Sequence, residues 1–337
     1  MKVTLALDAM GGDGGPSVIV PAALYALEKH ENLYLILVGQ QDALNEVLAK
    51  NGTAQSERLQ IHHASEVVEM HELPSLALRN KKDSSMRVAI DLVRDGIAKA
   101  CVSAGNTGAL MAMARFVLKM LPGIDRPAIC GTMPGTEGNT HLLDLGANVD
   151  SSSEQLFQFA VMGAELTSAV SNNPNPAVAL LNIGAEEIKG NDRVKQAAAL
   201  LSQSHLNYVG FVEGNDIYTG KVDVIVCDGF SGNIALKASE GVASFLINNA
   251  KKQFSQTLYG RFAALISKPV LEAIRGNIDP RRYNGASLLG LRGIVIKSHG
   301  SADKVAFANA IEEAIVEVEK NVPQRITSEL EKLFPKG

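Results

Sequence analysis

A chain of 337 residues that is 46% hydrophobic is long enough to bury a sizeable core, either as one large α/β domain or as two lobes around a cleft. Its net charge of −4, with no basic run interleaved with aromatics, sets a general nucleic-acid binder aside. Three scattered cysteines without metal-type spacing read as buried thiols of a reducing compartment, and no apolar run approaches the roughly 18 residues of a membrane span.

From the amino terminus, MKVTLALDAM is too short and too weakly apolar for a signal peptide, so a cytosolic protein is expected. Short β-branched and leucine-rich runs predict strands at residues 3–7, 33–38, 59–64, 100–103, 128–132, 142–145, 178–182, 222–227 and 293–296. Helical patterns lie between most of them, at residues 17–29, 86–95, 107–120, 153–170 and 193–203. Alternating strands and helices of this kind predict an α/β fold with a sheet covered on both faces, where ligands collect outside the carboxyl ends of strands. The segment SNNPNP at 171–176 reads as a turn rather than a domain boundary, so one domain over 1–337 is expected.

One stretch departs from the pattern. Residues 251–282 carry seven basic side chains (Lys251, Lys252, Arg261, Lys268, Arg275, Arg281, Arg282) against Glu272 and Asp279, a net +5, which leaves −9 for the rest. Phe254, Leu258, Phe262 and Leu265 fall on one helical face, and Pro269 interrupts a second apolar stretch through Ile274. The pattern predicts a basic amphipathic helical hairpin inserted in the domain. Such a face suits an anionic membrane, a dimer or an acidic partner, and an ordinary surface helix over the core gives the same periodicity.

Three strand-to-helix junctions carry the chemistry. At each, an apolar run ends in small and polar residues before a helix, the arrangement that presents free N–H groups and a positive helix end to an anion. In CVSAGNTGAL (101–110), Ser103, Asn106 and Thr107 add side-chain donors, although Asn106 is equally suited to cap the helix. In LLNIGAEEIKGND (180–192), Lys189 is the one cation beside Glu186 and Glu187; it would neutralise phosphate or a developing oxyanion, unless it is a plain surface lysine. In VIVCDGFSGN (224–233), Asp228 and Asn233 bracket a glycine turn, with capping again the alternative role.

The opening ALDAMGGDGGPS places Asp8 at a strand end before Gly11, Gly12 and Asp13, whose backbone can approach a ligand closely. It lacks the third glycine of a dinucleotide fingerprint, and no Walker A motif occurs, so neither NAD nor ATP is indicated and no cofactor is expected. Asp144 and Asn148 in LLDLGANVD form a further polar strand end. The seven histidines show no zinc spacing and no nucleophile elbow; His299 alone sits at a plausible site edge, and no metal is expected.

With DAMGGDGGP, CVSAGNTGALM, LDLGANVD, NIGAEEIKG, DVIVCDGFSGN and YNGASLLGLRGIVIKSHG in this order, the chain resembles the bacterial phosphate acyltransferases of phospholipid synthesis. The resemblance runs from the amino terminus to about the final helix. It implies a three-layer α/β/α sandwich like those of isocitrate and isopropylmalate dehydrogenases and phosphotransacetylases, acting as a homodimer. It further implies transfer of a long-chain acyl group from acyl-acyl carrier protein to inorganic phosphate, giving acyl phosphate for a glycerol-3-phosphate acyltransferase. A peripheral membrane contact through the helical hairpin is also implied.

Phosphate is already an anion near neutral pH, so its attack on a thioester needs orientation, charge neutralisation and oxyanion donors rather than a triad. Ser103, Asn106 and Thr107 are expected to hold phosphate, Lys189 and Asn233 to stabilise the transition state, and Asp8, Gly11, Gly12, Asp13 and Asp228 to complete the cleft. Competing readings are a short-chain phosphotransacetylase, a decarboxylating dehydrogenase and a non-catalytic membrane adaptor.

Overall fold

The structure is a computed structural model that describes residues 2–333, the side chains of residues 273–275, 277 and 278 excepted. Ile274 and Arg275 of the basic segment therefore have side chains outside the described residues. The strands are β1 (Val3–Asp8), β2 (Leu33–Gly39), β3 (Leu59–His63), β4 (Ala100–Ser103), β5 (Ala128–Pro134) and β6 (Asn139–Leu143), followed by β7 (Val178–Leu181), β8 (Tyr208–Val212), β9 (Val224–Val226), β10 (Ala286–Leu289) and β11 (Ile294–Lys297). They form one eleven-stranded sheet in the order β3-β2-β1-β4-β11-β10-β5-β6-β9-β7-β8.

The sheet is mixed. Strands β1 to β5 and β11 run one way and β6 to β10 the other, because β5 pairs antiparallel with β6 and β10 pairs antiparallel with both β11 and β5. The last two strands return to the middle of the sheet and join the two halves. Strand carboxyl ends consequently open on both edges, those of β1, β4 and β11 on one and those of β6, β9 and β7 on the other.

Helices cover both faces. On one, Ala6, Cys101 and Val295 pack under α4 (Ser85–Arg94) and α5 (Thr107–Leu118) through Met86, Ile90, Leu110 and Met113, in a cluster that extends across the sheet to Leu142 and Ile225. On the other, Leu5, Leu7, Val102 and Ile296 meet α1 (Pro16–Lys29) and α10 (Lys304–Lys320), while Cys130, Leu143, Val224 and Val226 meet α6 (Ser153–Ser171) and α11 (Val322–Leu333). The alternation of the two sets along each strand is the period-2 rule of a sheet buried on both sides, and it yields the three layers that the resemblance implied. The remaining core-side helices are α2 (Gln41–Lys50), α3 (Pro74–Asn80) and α7 (Asp192–Ser202). All three cysteines are free and buried, and burial pushes their thiols well above the usual range.

Two strands, β8 and β10, have no counterpart in the sequence reading. β8 is half-exposed and broken by Gly210 at φ +97°, and β10 has only four residues. Neither shows the alternation that marks a strand.

The hairpin consists of α8 (Gly229–Gln256) and α9 (Leu258–Ile278), joined at Thr257, whose side chain caps the second arm. Its first arm thus begins at Gly229, not at Lys251, because the basic residues occupy only the distal part of a long helix. Pro269 lies inside α9 and does not end it. Phe254 is half-buried, whereas Leu258, Phe262 and Leu265 are 83%, 62% and 69% exposed. No helix among the described residues is long and apolar enough to cross a membrane.

Candidate functional site

A row of buried polar residues lies on the edge formed by β1, β4 and β11. Register pairs Asp8 with Ser103 and Ser103 with Lys297, so the three end a row across adjacent strands. They share the sheet face of Ala6, Cys101 and Val295, two residues earlier in each strand, beneath α4 and α5. Asp8 is buried, and its two carboxylate oxygens accept from the hydroxyls of Ser85 and Ser103, each at 2.6 Å. Ser103 Oγ in turn accepts from the Gly105 N–H at 3.1 Å.

Burial raises the Asp8 carboxyl above its ordinary range, against the pull of the two serine hydroxyls, the Met10 backbone and Lys297. Lys297 is only 9% exposed, and burial lowers its ammonium to about 8, opposed by the field of Asp8. Its Nζ donates to the carbonyl oxygens of Ala104, at 3.4 Å, and Ser298. Sequence reasoning missed Lys297. A lysine at the end of an apolar strand reads as a surface cation, and only the register beside β4 reveals it as a buried one.

Glycines let the two loops on this edge touch. A Cβ on Gly11 would lie 2.6 Å from Asp8 Oδ2 and 2.8 Å from the Gly105 nitrogen. Gly12 adopts φ +79°, and the Asp13 N–H donates to Gly300 O at 2.8 Å, tying the β1 loop to the β11 loop. Asp13 itself is exposed.

The amide of Asn106 is engaged within the fold: Oδ1 accepts from the Ala109 N–H at 3.0 Å as the cap of α5, and Nδ2 donates to Met70 O at 2.8 Å and Glu72 O at 3.0 Å. Both ends of the amide are spent on fixing the helix start and the 69–72 loop against it. Thr107 is exposed, and its hydroxyl has no partner among the described residues. The Ala109 N–H is thus taken, which leaves the Thr107 and Gly108 N–H groups as the donors that the start of α5 presents at this junction.

The opposite edge is built differently. Asp144, fully buried, accepts from the N–H groups of Ile129, Gly146, Ala147 and Asn148 and from Asn148 Nδ2, at 2.7 to 3.2 Å. Asn148 Nδ2 also donates to Pro127 O at 2.8 Å. Burial raises the Asp144 carboxyl, and these donors counter it. Asp228 accepts from the Ser231 N–H at 2.8 Å, so it caps α8 and its carboxylate is partly committed. Any side chain at Gly232 would collide with Asp144 O, which lets the first turn of α8 seat directly on the Asp144 loop.

Asn233 and Lys189 are free of such duties. Asn233 is exposed beside Gly146, and its amide has no partner among the described residues. Lys189 is exposed on the loop that follows β7, where only its backbone is tied, to Glu186 O and by Asn182. The structure brings Asn233, Asp228 and Lys189 to one edge, since β9 lies between β6 and β7, but places no contact between Lys189 and the Asp8 row.

Helix α8 links the two edges. One turn beyond Asn233 it carries Lys237, paired with Glu240 at 2.9 Å, and the charge of Lys237 bears on both Lys297 and His299. His299 is held by Ser301 Oγ at 2.9 Å, and its imidazole is lowered by burial and by Lys237. The arrangement offers an anion two cations and a helix amino terminus, with a free amide donor one turn away. Among the described residues no group of three or more His, Cys, Asp or Glu is placed to hold a metal ion.

Comparison with known proteins places the chain in a family. Residues 3–325 match the family model described as fatty acid synthesis protein. A protein of Methylococcus capsulatus named phosphate acyltransferase is 62% identical over 331 residues, covering 98% of each chain. One of the same name from Nitrosococcus oceani is 60% identical over 337 residues, covering 100% of this chain and 99% of the other. Among solved structures, a phosphotransacetylase from Streptococcus pyogenes superposes with a TM-score of 0.66 at 18% identity, covering 94% of each chain. The EutD phosphotransacetylase of Staphylococcus aureus gives 0.63 at 16%, covering 95% of this chain and 94% of its own. At those identities the likeness concerns the fold.

Proposed function

Because the chain belongs to the phosphate acyltransferase family and is therefore an acyltransferase, we propose that it moves a long-chain acyl group from the thioester of acyl-acyl carrier protein to inorganic phosphate. The observation that carries the chemical part of this reading is the buried row Asp8, Ser103 and Lys297 beside the open amino terminus of α5. A hydrogen-phosphate dianion fits there, between N–H donors and fixed positive charge.

In this mechanism the enzyme forms no covalent intermediate. Phosphate is held by the α5 amino terminus with Thr107, and the Gly11 to Asp13 loop closes the pocket floor behind it. Asp8 acts by holding Ser103 and by fixing the local field, since both of its oxygens are already engaged. Asn233 donates to the oxyanion that develops on the thioester carbonyl, and Lys189 supplies a second positive charge from the neighbouring loop. Both are unpaired and exposed, as groups that must meet a substrate arriving from solvent should be.

The exposed apolar side chains of the hairpin with Lys251, Lys252, Arg261 and Lys268 support a peripheral contact with an anionic bilayer. In this reading the enzyme is cytoplasmic, works as a homodimer at the membrane surface and passes acyl phosphate to a glycerol-3-phosphate acyltransferase. No cofactor is needed, because the nucleophile is the substrate itself.

The test is acyl phosphate formation from palmitoyl-acyl carrier protein and phosphate, with palmitoyl-CoA and acetyl-CoA as parallel donors. Phosphate-dependent release of carrier-protein thiol supports the proposal. Turnover with acetyl-CoA alone would make the enzyme a short-chain phosphotransacetylase.

A further inference from the structure

We propose that Lys297 is the catalytic acid of the acyl transfer, giving a proton to the departing thiolate and recovering it from the phosphate. The assignment rests on the acyl-transfer reading above. Three observations lead to it.

First, the position of Lys297 is that of a reacting group rather than a structural one. It ends β11 on the same face as Asp8 and Ser103, next to the amino terminus of α5, where the nucleophile is expected. Second, its hydrogen bonding is incomplete. An ammonium has three N–H donors, and the carbonyl oxygens of Ala104 and Ser298 take two of them. Asp8 does not claim the third, because no hydrogen bond or ion pair joins it to Lys297 among the described residues, its contacts being with Ser85 and Ser103. Third, the surroundings suit a proton that leaves and returns. The charged groups facing Lys297 are Asp8 and Asp13 from the β1 end and Lys237 from α8, with His299 and Glu240 beside them. Burial brings the ammonium to about 8, near the ordinary range of a thiol.

The step balances. An oxygen of the hydrogen-phosphate dianion bonds to the thioester carbonyl carbon, and the tetrahedral intermediate collapses by breaking the carbon–sulfur bond. The thiolate takes a proton from Lys297 Nζ and departs as the thiol. The neutral amine then removes the proton remaining on the acyl hydrogen phosphate, leaving acyl phosphate dianion and the ammonium restored.

The test compares wild type, Lys297→Arg and Lys297→Met with two donors: palmitoyl-acyl carrier protein, and the thiophenol ester of palmitic acid, whose leaving thiolate needs no proton. With the carrier-protein donor, Lys297→Arg is expected to keep KM for phosphate within a few-fold of wild type. Its kcat should fall by about 10² or more. With the thiophenol ester the deficit should shrink to about tenfold or less, whereas a merely structural role would depress both donors alike. Equal losses with the two donors, or a folded Lys297→Arg with wild-type kcat, would overturn the assignment. Should neither variant fold, the wild-type profile decides: an alkaline fall in kcat near pH 8 with the carrier-protein donor, absent with the thiophenol ester, supports the role, and identical profiles refute it. Absence of wild-type transfer from every donor would instead overturn the acyl-transfer reading itself.

Discussion

The two edges of the sheet begin from nearly the same sequence grammar and end with opposite allocations of polar atoms. At the β6 and β9 ends, Asp144, Asn148 and Asp228 are committed mostly to backbone groups, those of their own loops and those at Pro127 and Ile129 where β5 begins. At the β1, β4 and β11 ends, the polar side chains hold one another across strands far apart in sequence, and Lys297 keeps a donor in reserve. A carboxylate that satisfies its own loop stabilises structure, whereas one that orders groups from other strands prepares a surface for a ligand. Identical residue types thus serve two purposes, and the hydrogen-bond partners distinguish them.

Variants at the free groups of the second edge separate the two allocations. Asn233→Ala and Lys189→Ala should each lose about 10² to 10³ in turnover with melting temperature unchanged, because neither side chain has a partner to lose. Steady-state assays alongside thermal melts check this, and near-wild-type turnover would remove the residue from the mechanism. Asp144→Ala should do the reverse. Orphaning the buried N–H groups of its loop should cost on the order of 3 kcal/mol in stability, read by urea titration, while activity per folded molecule falls far less.

A pH effect of similar size belongs to the same half of the sheet. His141 on β6 is buried against Thr167 Oγ1 at 3.0 Å, and burial lowers its imidazole to about 4. A group depressed in the folded state contributes stability above its unfolded value near 6.5 and loses it as pH falls toward 4. The loss reaches about 3 kcal/mol. Urea titrations at pH 7 and 4.5 should show this loss in wild type and a smaller one in His141→Gln.

Smaller effects sharpen the picture. Asn106→Ala removes the α5 cap and the tether to the 69–72 loop; a cost of about 1 kcal/mol in stability is expected, with a rise in KM for phosphate if the helix start frays. Phe262→Ser with Leu265→Ser should leave melting within about 0.5 kcal/mol of wild type, since both side chains are exposed, while reducing co-sedimentation with anionic vesicles.

Much of this was legible in the sequence, and the exceptions have physical causes. Most of the nine strands announced themselves because buried strands are continuous apolar runs, whereas β8 is an edge strand broken by a glycine and β10 is a four-residue strand held between antiparallel neighbours. The junctions at Asp8, Ser103 and Asp228 were visible as small residues after apolar runs. Which of them spend their side chains internally was not, since Asn106 as a cap and Asn106 as a ligand look identical until its partners are known. Lys297 was hidden because its meaning depends on strand order: β11 lies beside β4, nearly two hundred residues away. The start of the hairpin was hidden too, because the unbalanced basic charge marks only the distal end of α8, Lys237 nearer its start being paired with Glu240.

The central claim is that the preorganised row on the β1, β4 and β11 edge is the chemical centre. Turnover of Asp8→Asn with palmitoyl-acyl carrier protein and phosphate tests it most directly, since the change keeps the side-chain shape and removes the charge that Ser103 and Lys297 are arranged around. A folded protein is expected whose phosphate-dependent thiol release is at least about 10²-fold below wild type. A folded Asp8→Asn enzyme with near-wild-type turnover would contradict it.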